Sequence, residues 1–222
     1  MVANKKNRGS TMEEIELTED LKKCVEFHGH LCPGLTYGYL VACEARRLLS
    51  LTRSQDEEVV AFPENDSCAI DALQVILGTT AGKGNLILRD YGKNAYTIYS
   101  RTQGRAFRFT RKTEYRYEGE DRETYAALDK KVADKRATEE EKRRLQMMKV
   151  RDLLKKNFSA LFETQEVEPP KQPYAPLAPS VACSLCGEMT MSTKLLEVDK
   201  GVRYCIPCAQ KKGIPISFRR PQ

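Results

Sequence analysis

The sequence predicts an α+β domain followed by a small module that takes its stability from a bound metal. Three observations lead to this prediction. Residues 11–117 mix helical and strand patterns, residues 118–163 are almost wholly helical in pattern, and two Cys-x-x-Cys pairs stand near the carboxyl end. With 222 residues, of which 41% are hydrophobic, the chain is long enough to bury a core and to carry one appendage.

The predicted division of the chain has five parts. They are a disordered lead-in with the first core residues (1–17), an α+β core (18–117), a helical extension (118–167), a proline-rich linker (168–180) and a four-cysteine finger (181–222). The linker holds five of the ten prolines, which predicts a semi-rigid, extended connection between the core and the finger.

The core elements follow in order from periodicity and capping residues. One helix starts at Thr18, a second covers residues 35–50, and a third follows Asp66 or Ser67, either of which can cap it. Strands are predicted where apolar or alternating runs are separated by turns, at residues 57–62, 86–88, 95–99 and 106–109.

The helical extension contains a capping box that starts at Thr138, followed by a spaced apolar stripe. The stripe consists of Met147, Val150, Leu154, Phe158, Leu161 and Phe162. Two interpretations stand equally: the helix packs on its own core, or it forms a dimerisation arm or spacer outside the core sheet. We expect a homodimer, because the stripe is too regular for a solvent-exposed linker and needs an apolar surface to cover it.

The finger is predicted from two cysteine pairs that are separated by 18 residues, Cys183-Ser184-Leu185-Cys186 and Cys205-Ile206-Pro207-Cys208. Four thiolates at this spacing favour tetrahedral Zn²⁺, with a hairpin from residues 191–198 to residues 202–204 between the pairs. The module is too small for a hydrophobic core, so zinc would supply much of its folding free energy. A rubredoxin-like iron site and a disulfide or redox dithiol are the alternatives.

Composition narrows the class of protein. No stretch is long and apolar enough to span a membrane, and the first residues lack the apolar segment of a secretory signal. Eight cysteines in such a chain favour metal or thiol chemistry in the cytoplasm over a disulfide framework. The net charge of +6 and the basic pairs Lys211-Lys212 and Arg219-Arg220 permit weak association with polyanions, but no aromatic–basic pattern favours nucleic acid.

Both histidines of the chain lie in one stretch, His28-Gly29-His30-Leu31-Cys32-Pro33-Gly34. Two imidazoles and a thiol in one loop suit Zn²⁺ or another borderline-soft transition metal. Pro33 is expected in the first turn of the next helix, which places Cys32 at or beside the N-cap, where the helix dipole lowers the pKa of a thiol. The alternative is that the histidines are surface residues and Cys32 is a small buried hydrophobic residue.

Cys68 is the expected partner of this loop, since it too stands where a polar turn passes into a helix. The predicted core metal site takes its ligands from among His28, His30, Cys32 and Cys68, and we expect at most one of the two histidines to ligate, because residues i and i+2 of a turn often diverge. If the site is catalytic, the candidate groups are Cys32, Cys68, Asp66 and Asp71, with the two carboxylates as acid or base. The remaining core cysteines, Cys24 and Cys43, lie in helical patterns and are expected to be structural.

The stretch from Gly78 to Asn85 invites comparison with a phosphate-binding loop. Three residues rather than four separate Gly78 from Gly82, and Gly84 stands where Ser or Thr should bind Mg²⁺. Nucleotide hydrolysis is therefore not supported, and a backbone anion nest is the functional interpretation that remains.

Together these motifs resemble the FmdE-like family, named for the E component of formylmethanofuran dehydrogenase. The matching stretches are Phe27–Gly34, Cys68–Gln74, Gly78–Leu86 and Asp90–Lys93, followed by the linker and the finger of two-domain members. The resemblance implies a thioredoxin-like mixed β-sheet core flanked by helices, a C-terminal treble-clef zinc finger, and a metal-capable site in the core. Cys32-Pro33-Gly34-Leu35 has no second cysteine, so the fold analogy does not bring dithiol exchange with it.

Three functions compete at this point. The resemblance favours a metal-binding accessory protein of anaerobic one-carbon metabolism such as methanogenesis, with a molybdo- or tungstoenzyme partner, Zn²⁺ in the finger, and Zn²⁺ or another transition metal in the core. The second is a stand-alone metal-dependent enzyme that uses the core site. The third is a zinc-finger regulatory or nucleic-acid-binding protein, based on the finger and the basic strands between Arg101 and Arg116. Two tightly bound metals per chain would favour a core site, and one would favour the finger alone.

Overall fold

The structure is a computed structural model that describes residues 16–216. The helices are α1 (Glu19–His28), α2 (Pro33–Leu48), α3 (Ala69–Leu77), α4 (Arg122–Ala133), α5 (Glu139–Lys155), α6 (Phe158–Leu161) and α7 (Ile206–Lys211). The strands are β1 (Val59–Pro63), β2 (Ala95–Ser100), β3 (Arg105–Arg111), β4 (Phe162–Val167), β5 (Ser180–Ala182), β6 (Met189–Met191), β7 (Leu195–Asp199) and β8 (Val202–Cys205). The pair Arg219-Arg220 and nearly all of the predicted lead-in lie outside the described residues.

The first two helices begin where the sequence predicts. Thr18 caps α1 and accepts the N–H of Leu21 at 3.2 Å, and Gly29 ends that helix with a left-handed backbone (φ 92°), which glycine adopts without steric cost. Pro33 stands in the first turn of α2 with Cys32 as the N-cap. His28 is therefore the last residue of α1, and His30 and Cys32 lie in the short connection between two well-defined helix ends.

The predicted cap of α3 is wrong. Neither Asp66 nor Ser67 caps the helix, which begins at Ala69 without a side-chain cap. The Asn65 carboxamide instead accepts the N–H and the hydroxyl of Ser67 at 3.2 and 2.7 Å and donates to the carbonyl of Lys93 at 2.7 Å. This turn, stabilised by a buried Asn, replaces the expected cap because its hydrogen bonds tie it to the segment before β2.

The main sheet has the strand order β1-β2-β3-β4, and all of its named strands pair antiparallel. Residues 86–88 were predicted as a strand, but they form none of the named strands. They run parallel to β1 along its outer edge, with a bridge between Ala61 and Leu86 and a hydrogen bond from the Ile87 N–H to the Ala61 carbonyl at 2.9 Å. The chain is an α+β protein, as predicted. In residues 16–216 no helix is long and apolar enough to cross a membrane.

The end of the helical extension belongs to the core. Leu153 is fully buried, Leu161 and Phe162 are nearly so, and all three pack in the same apolar cluster as α1, α2 and α3. The chain also leaves the helical state at Phe162, where β4 begins and pairs with β3. The segment up to residue 163 thus lies mostly outside the sheet, as expected, and only Phe162 and Glu163 of that segment belong to β4. The stripe packs within its own chain and needs no second chain to cover it. The homodimer therefore stays a prediction that the stripe does not support.

The proline-rich linker is docked on the core by a buried ion pair, Glu57–Arg101, whose side chains are 8% and 10% exposed. Arg101 donates to the carbonyls of Gln172 (2.7 Å) and Pro173 (3.1 Å), and its guanidinium lies 4.1 Å from the Tyr174 ring centroid. The Ala175 N–H donates to the Glu57 carboxylate at 3.0 Å. We call these contacts the linker clamp. Because they are charge-assisted and buried, they fix residues 172–175 against the core.

The glycine-bearing loop from Gly78 to Asn85 has a structural role. The fully buried Asn85 carboxamide donates to the carbonyls of Val59 (2.9 Å) and Asp56 (3.0 Å) and accepts the N–H of Thr80 at 2.8 Å. Gly84 has φ 74°, and a Cβ there would come within 2.9 Å of the Ala175 side chain. The loop thus joins β1 to the linker. These contacts explain why Asn85 and Gly84 occupy their positions, and anion binding is not needed to explain them.

Candidate metal centres

The amino ends of α2 and α3 lie side by side because α2 presents two glycines, Gly34 and Gly38, to α3. We call this pair the glycine strip. A Cβ on Gly38 would come within 2.1 Å of the Ala69 carbonyl oxygen, so only glycine permits this approach. One turn earlier, a Cβ on Gly34 would lie 3.1 Å from the Cβ of Cys68. The strip therefore brings the first turns of both helices, and the cysteines that precede them, to one place.

Cys32 occupies the predicted N-cap position of α2. Its sulfur accepts the N–H of Leu35 at 3.4 Å, and its carbonyl accepts the Thr36 hydroxyl at 2.9 Å. The side chain is buried. Because its sulfur and its carbonyl are both held by α2, the thiol has a fixed position at the positive end of the helix.

Cys68 lies close to Cys32, as the sequence predicts. The Cys68 sulfur is 3.6 Å, and the Cys32 sulfur 3.9 Å, from the point that a Cβ on Gly34 would occupy. Burial raises the pKa of the Cys68 thiol, and the charge of Cys32 raises it further. This direction is opposite to the expected effect of the helix terminus, because desolvation outweighs the dipole at this position.

His28 is oriented by a carboxylate on α3. Its Nδ1 lies 2.6 Å from Oδ2 of Asp71, and Oδ1 of Asp71 accepts the Nε2–H of Gln74 at 3.1 Å. An ionised carboxylate accepts hydrogen bonds only, so we assign the imidazole proton to Nδ1. This tautomer leaves a lone pair on Nε2, which lies 3.8 Å from the Cys32 sulfur and is free to bind a metal or a proton.

Donor atoms of His28, His30 and Cys32 all lie within 4.8 Å of one another. The two imidazole rings do not diverge, since their centroids are 4.6 Å apart. Two nitrogens and one sulfur form a donor set for Zn²⁺ or a similar borderline-soft ion. The Asp71 carboxylate behind His28 is the outer partner that metal-binding imidazoles usually have. The arrangement therefore fits a transition metal. The Cys68 sulfur lies near Cys32 but outside this group of three donors.

The other candidate residues occupy distinct places. Asp66 is exposed, and no side-chain contact joins it to the cluster among the residues described. Asp71 contacts His28 directly, which suits an orienting carboxylate better than a free acid or base. Cys24 is fully buried on α1, and burial raises its pKa to about 12. Cys43 is partly buried, and burial raises its pKa as well, so both thiols are held in the neutral form expected of structural residues.

We did not predict from the sequence the roles of three residues near the site, Gly34, Gly38 and Gln74. Gly34 and Gly38 are spaced by one helical turn, and this spacing could have indicated a close helix contact. Gln74 follows Asp71 by three residues, a spacing at which side chains of a helix meet. The pairing of Asp71 with His28 joins residues 43 positions apart, and local pattern carries no signal for it.

In the finger, donor atoms of Cys183, Cys186, Cys205 and Cys208 lie within 4.8 Å of one another. The sulfurs of Cys186 and Cys205 are 3.8 Å apart, which equals the edge of a tetrahedron with metal–sulfur bonds of about 2.3 Å. Cys205 immediately precedes α7, and Cys208 lies in its first turn. The donor set and its spacing therefore fit one tetrahedral metal ion.

Backbone amides stabilise a thiolate in the finger. The N–H groups of Cys186, Cys205 and Leu185 lower the pKa of Cys183 to about 6, and the Cys205 N–H lies 3.2 Å from the sulfur. Gly187 permits this turn with φ 75°. The hairpin between the knuckles differs from the prediction, since Met191 pairs with Ser180 in a separate ribbon and only β7 and β8 form the hairpin.

The core described above matches a family model over residues 27–165, whose description is "FmdE, Molybdenum formylmethanofuran dehydrogenase operon". The chain belongs to the FmdE family. The matched range contains the His28–His30–Cys32 cluster, Cys68 and Asp71, and it continues through the helical extension into β4. A second model, the prokaryotic dksA/traR C4-type zinc finger, matches residues 178–212 and includes all four cysteines of the finger.

This FmdE-family chain is also similar to individual proteins. A "Probable S-adenosyl-L-methionine-binding protein" of Archaeoglobus fulgidus is 30% identical over 204 residues, which cover 87% of this chain and 53% of the relative. The chain thus spans about half the length of that relative. The crystal structure of a tungsten formylmethanofuran dehydrogenase FmdE-like protein from Syntrophus aciditrophicus is 19% identical, with a TM-score of 0.49 over 89% of this chain and 92% of that one.

Proposed function

We propose that this FmdE-family protein binds a transition metal through His28, His30 and Cys32, with Cys68 as a further ligand, and Zn²⁺ through the finger. The observation that carries the core assignment is that donor atoms of His28, His30 and Cys32 lie within 4.8 Å of one another. The contact between Asp71 and Nδ1 of His28 supports it, because it leaves Nε2 able to coordinate. The finger assignment is supported by the matching C4-type family model and by the convergence of four sulfurs.

The residues around the core site have separable tasks in this proposal. His28, His30 and Cys32 would hold the ion, Asp71 orients His28, and the glycine strip keeps Cys68 within reach. A bound metal ion supplies Lewis acidity or a lowered pKa of a coordinated water. Because Asp71 is engaged with His28, a stand-alone hydrolytic enzyme would lack a free carboxylate base within the cluster, which favours a binding or accessory role.

The proposed biological role is that of an accessory protein for a molybdenum or tungsten formylmethanofuran dehydrogenase, in the cytoplasm. It is supported by the family description, which refers to the operon of the molybdenum enzyme. We propose that the finger, rather than the buried stripe of α5, offers the surface for that enzyme or for a second copy of the chain. Exposed apolar side chains of the finger, Leu185, Met189 and Met191, support this choice.

We further propose a treble-clef fold for the finger and a thioredoxin-like fold for the core. A treble clef is supported by the order of the finger elements, since a Cys-x-x-Cys knuckle is followed by the β7–β8 hairpin and by a second knuckle at the start of α7. A thioredoxin-like mixed sheet is supported by the parallel pairing of residues 85–87 with β1.

The test is the number of metal ions per chain in single-residue variants. We expect two tightly bound ions in the wild-type protein and one in His28→Ala and Cys32→Ala. Cys43→Ala is the matched control, because its thiol lies outside the cluster and its loss should leave two ions. One ion in the wild-type protein, retained in His28→Ala and lost in Cys205→Ala, would disprove the core site and leave the finger.

A second candidate function is the binding of S-adenosylmethionine. The observation in its favour is a cavity of about 670 Å³ between α1 and α3, a volume in the usual range for small-molecule sites. The relative named as a probable S-adenosylmethionine-binding protein makes this ligand the natural probe. Equilibrium dialysis with the labelled compound tests it directly, and the absence of saturable binding would exclude it.

A further inference from the structure

Two residues that line the cavity between α1 and α3 are neighbours of the candidate core metal site. Phe27 immediately precedes His28 in the chain, and Gln74 donates to Asp71. Asp20 and Arg46 line it as well. Asp20 and Phe27 are seven residues apart on α1, so the cavity extends about 10 Å along that helix.

The lining combines charged side chains of both signs with three apolar residues, Phe27, Val75 and Ile76. Neither Arg53 nor Glu26 has an ion-pair partner within residues 16–216, and Lys23 has only a distant one, Asp20 at 3.9 Å. Arg53 donates through Nε to the Val75 carbonyl at 3.0 Å, which holds its guanidinium at the cavity wall. A ligand with a carboxylate and an ammonium group would satisfy these side chains, because each would meet an opposite charge.

Phe27 is the aromatic residue of the cavity lining. Its side chain is 59% exposed, unusual for a phenyl ring next to a polar cluster, and Val75 and Ile76 continue the apolar surface. A planar heterocycle stacked on the ring would cover it. The lining thus fits a molecule that carries both a planar heterocycle and an amino-acid group.

Gln74 joins the cavity to the metal cluster. Its carboxamide donates to Oδ1 of Asp71 at 3.1 Å, and Oδ2 of the same carboxylate lies 2.6 Å from Nδ1 of His28. A ligand that contacts Gln74 therefore acts on the group that orients a metal-binding imidazole. Such coupling is reciprocal, so a bound metal changes ligand affinity by the same factor.

We propose that the α1–α3 cavity binds a nucleoside that carries an amino-acid group, and that Gln74 couples this ligand to metal affinity at the His28–His30–Cys32 cluster. The second part rests on the proposed core metal site. Gln74 is a positioning residue in this scheme, since it acts on the metal ligand through Asp71.

The test measures two affinities in the full chain, with S-adenosylmethionine as the ligand probe and Zn²⁺ as the metal probe. Competition with a chromophoric chelator gives the Zn²⁺ affinity with and without saturating ligand. We expect a change of about 5-fold or more in the wild-type protein. In Gln74→Ala the ligand should still bind, but the change should fall below about 2-fold. Gln55→Ala, an exposed glutamine elsewhere on the core, should behave as wild type.

Two cavity variants test the ligand site itself. Arg53→Ala should weaken binding of S-adenosylmethionine about tenfold or more, because it removes the unpaired guanidinium. Phe27→Ala should also weaken it, and this exposed position leaves folding intact. Failure of the wild-type protein to bind the ligand, or unchanged binding in both variants, overturns the cavity assignment.

The two proposals fail in different ways. If the wild-type chain binds the finger ion alone, the core metal site is disproved, and ligand binding measured on that same protein still decides the cavity assignment. If both probes bind and Gln74→Ala keeps the full coupling, the ligand contacts the metal directly, and the role given to Gln74 is wrong.

Discussion

Glycine at position 38 sets the distance between α2 and α3. A Cβ there would lie 2.1, 2.5 and 2.7 Å from three backbone atoms of Ala69, and a backbone cannot move aside as a side-chain tip can. The core cluster depends on this contact, since Cys32 precedes α2, Cys68 precedes α3, and Asp71 of α3 holds His28. A residue with no side chain thus determines where the chemically active side chains meet.

The Gly38→Ala substitution should force the two helices apart. We expect a loss of about 1–3 kcal/mol in unfolding free energy from overpacking, together with weaker metal binding at the core. Urea denaturation measures the first effect and metal titration the second. Gly82→Ala is the control, because a Cβ at that position meets nothing within 4 Å. Equal stability of the two variants would show that the helix contact is less tight than described.

The Asp71→Asn substitution tests the orienting carboxylate. Loss of its charge should weaken the hydrogen bond that orients His28, and metal affinity at the core should fall about 10- to 100-fold. Asp66→Asn removes a carboxylate of the same region that is exposed, and it should leave affinity unchanged. Competition titration with Zn²⁺ compares the two. A similar effect in both variants would point to general electrostatics rather than to the hydrogen bond with His28.

At the level of elements, local sequence signals predicted helix starts well and strand partners poorly. Thr18 and the Thr138 capping box stand where the sequence places them, because capping depends on side chains within three residues. The return of the chain into the sheet as β4 was missed, since pairing of β4 with β3 joins residues about 60 positions apart, such as Ala106 and Val167. The metal cluster divides in the same way. The His–Cys loop is a local motif, whereas the Asp71 and Cys68 contacts depend on helix packing.

The apolar stripe of α5 and its neighbours is compatible with two interpretations in the sequence, and the buried polar residue Asp152 explains which of them the structure adopts. Asp152 is 5% exposed and accepts the Tyr115 hydroxyl at 2.6 Å and the Glu118 N–H at 3.0 Å. Burial and the contact with Asp152 raise the pKa of Tyr115 above its ordinary value. These bonds attach α5 to the segment after β3, so the helix packs on its own core.

The Tyr115→Phe substitution should therefore destabilise the attachment of α5. It removes one donor from a buried carboxylate, and we expect a loss of about 1–3 kcal/mol in unfolding free energy. Tyr91→Phe is the matched control, because Tyr91 is 64% exposed and its hydroxyl makes no hydrogen bond within residues 16–216. Thermal or urea unfolding compares the pair. Identical midpoints would mean that the remaining partners of Asp152 compensate fully.

For the whole molecule, the linker clamp decides how the core and the finger are connected. The sequence predicted a semi-rigid proline-rich segment, which is a property of composition alone. It carried no signal for the docking of residues 172–175, because Glu57 and Arg101 lie 118 and 71 positions away from their linker partners. The middle of the linker, residues 172–175, is therefore attached to the core, and the linker is extended from there to the finger.

The Arg101→Ala substitution should release the linker. We expect trypsin cleavage after Lys171 to accelerate about tenfold or more, because cleavage requires local opening of the docked segment. Arg105→Ala provides the control, since Arg105 forms an exposed pair with Glu166 (46% and 51% exposed) that contributes little. Peptide mapping of the cleavage products measures both rates. Equal rates would mean that the clamp does not restrain the linker.

The clamp also limits how far the finger can travel. Between Ala175, the last docked residue, and Ser180, where β5 begins, an extended chain of five peptide steps spans about 16 Å. Anything that the finger captures is thus confined to a small volume next to the core, which corresponds to an effective local concentration on the order of millimolar. A partner that is too weak to find the core by free diffusion would meet it repeatedly once the finger had engaged it.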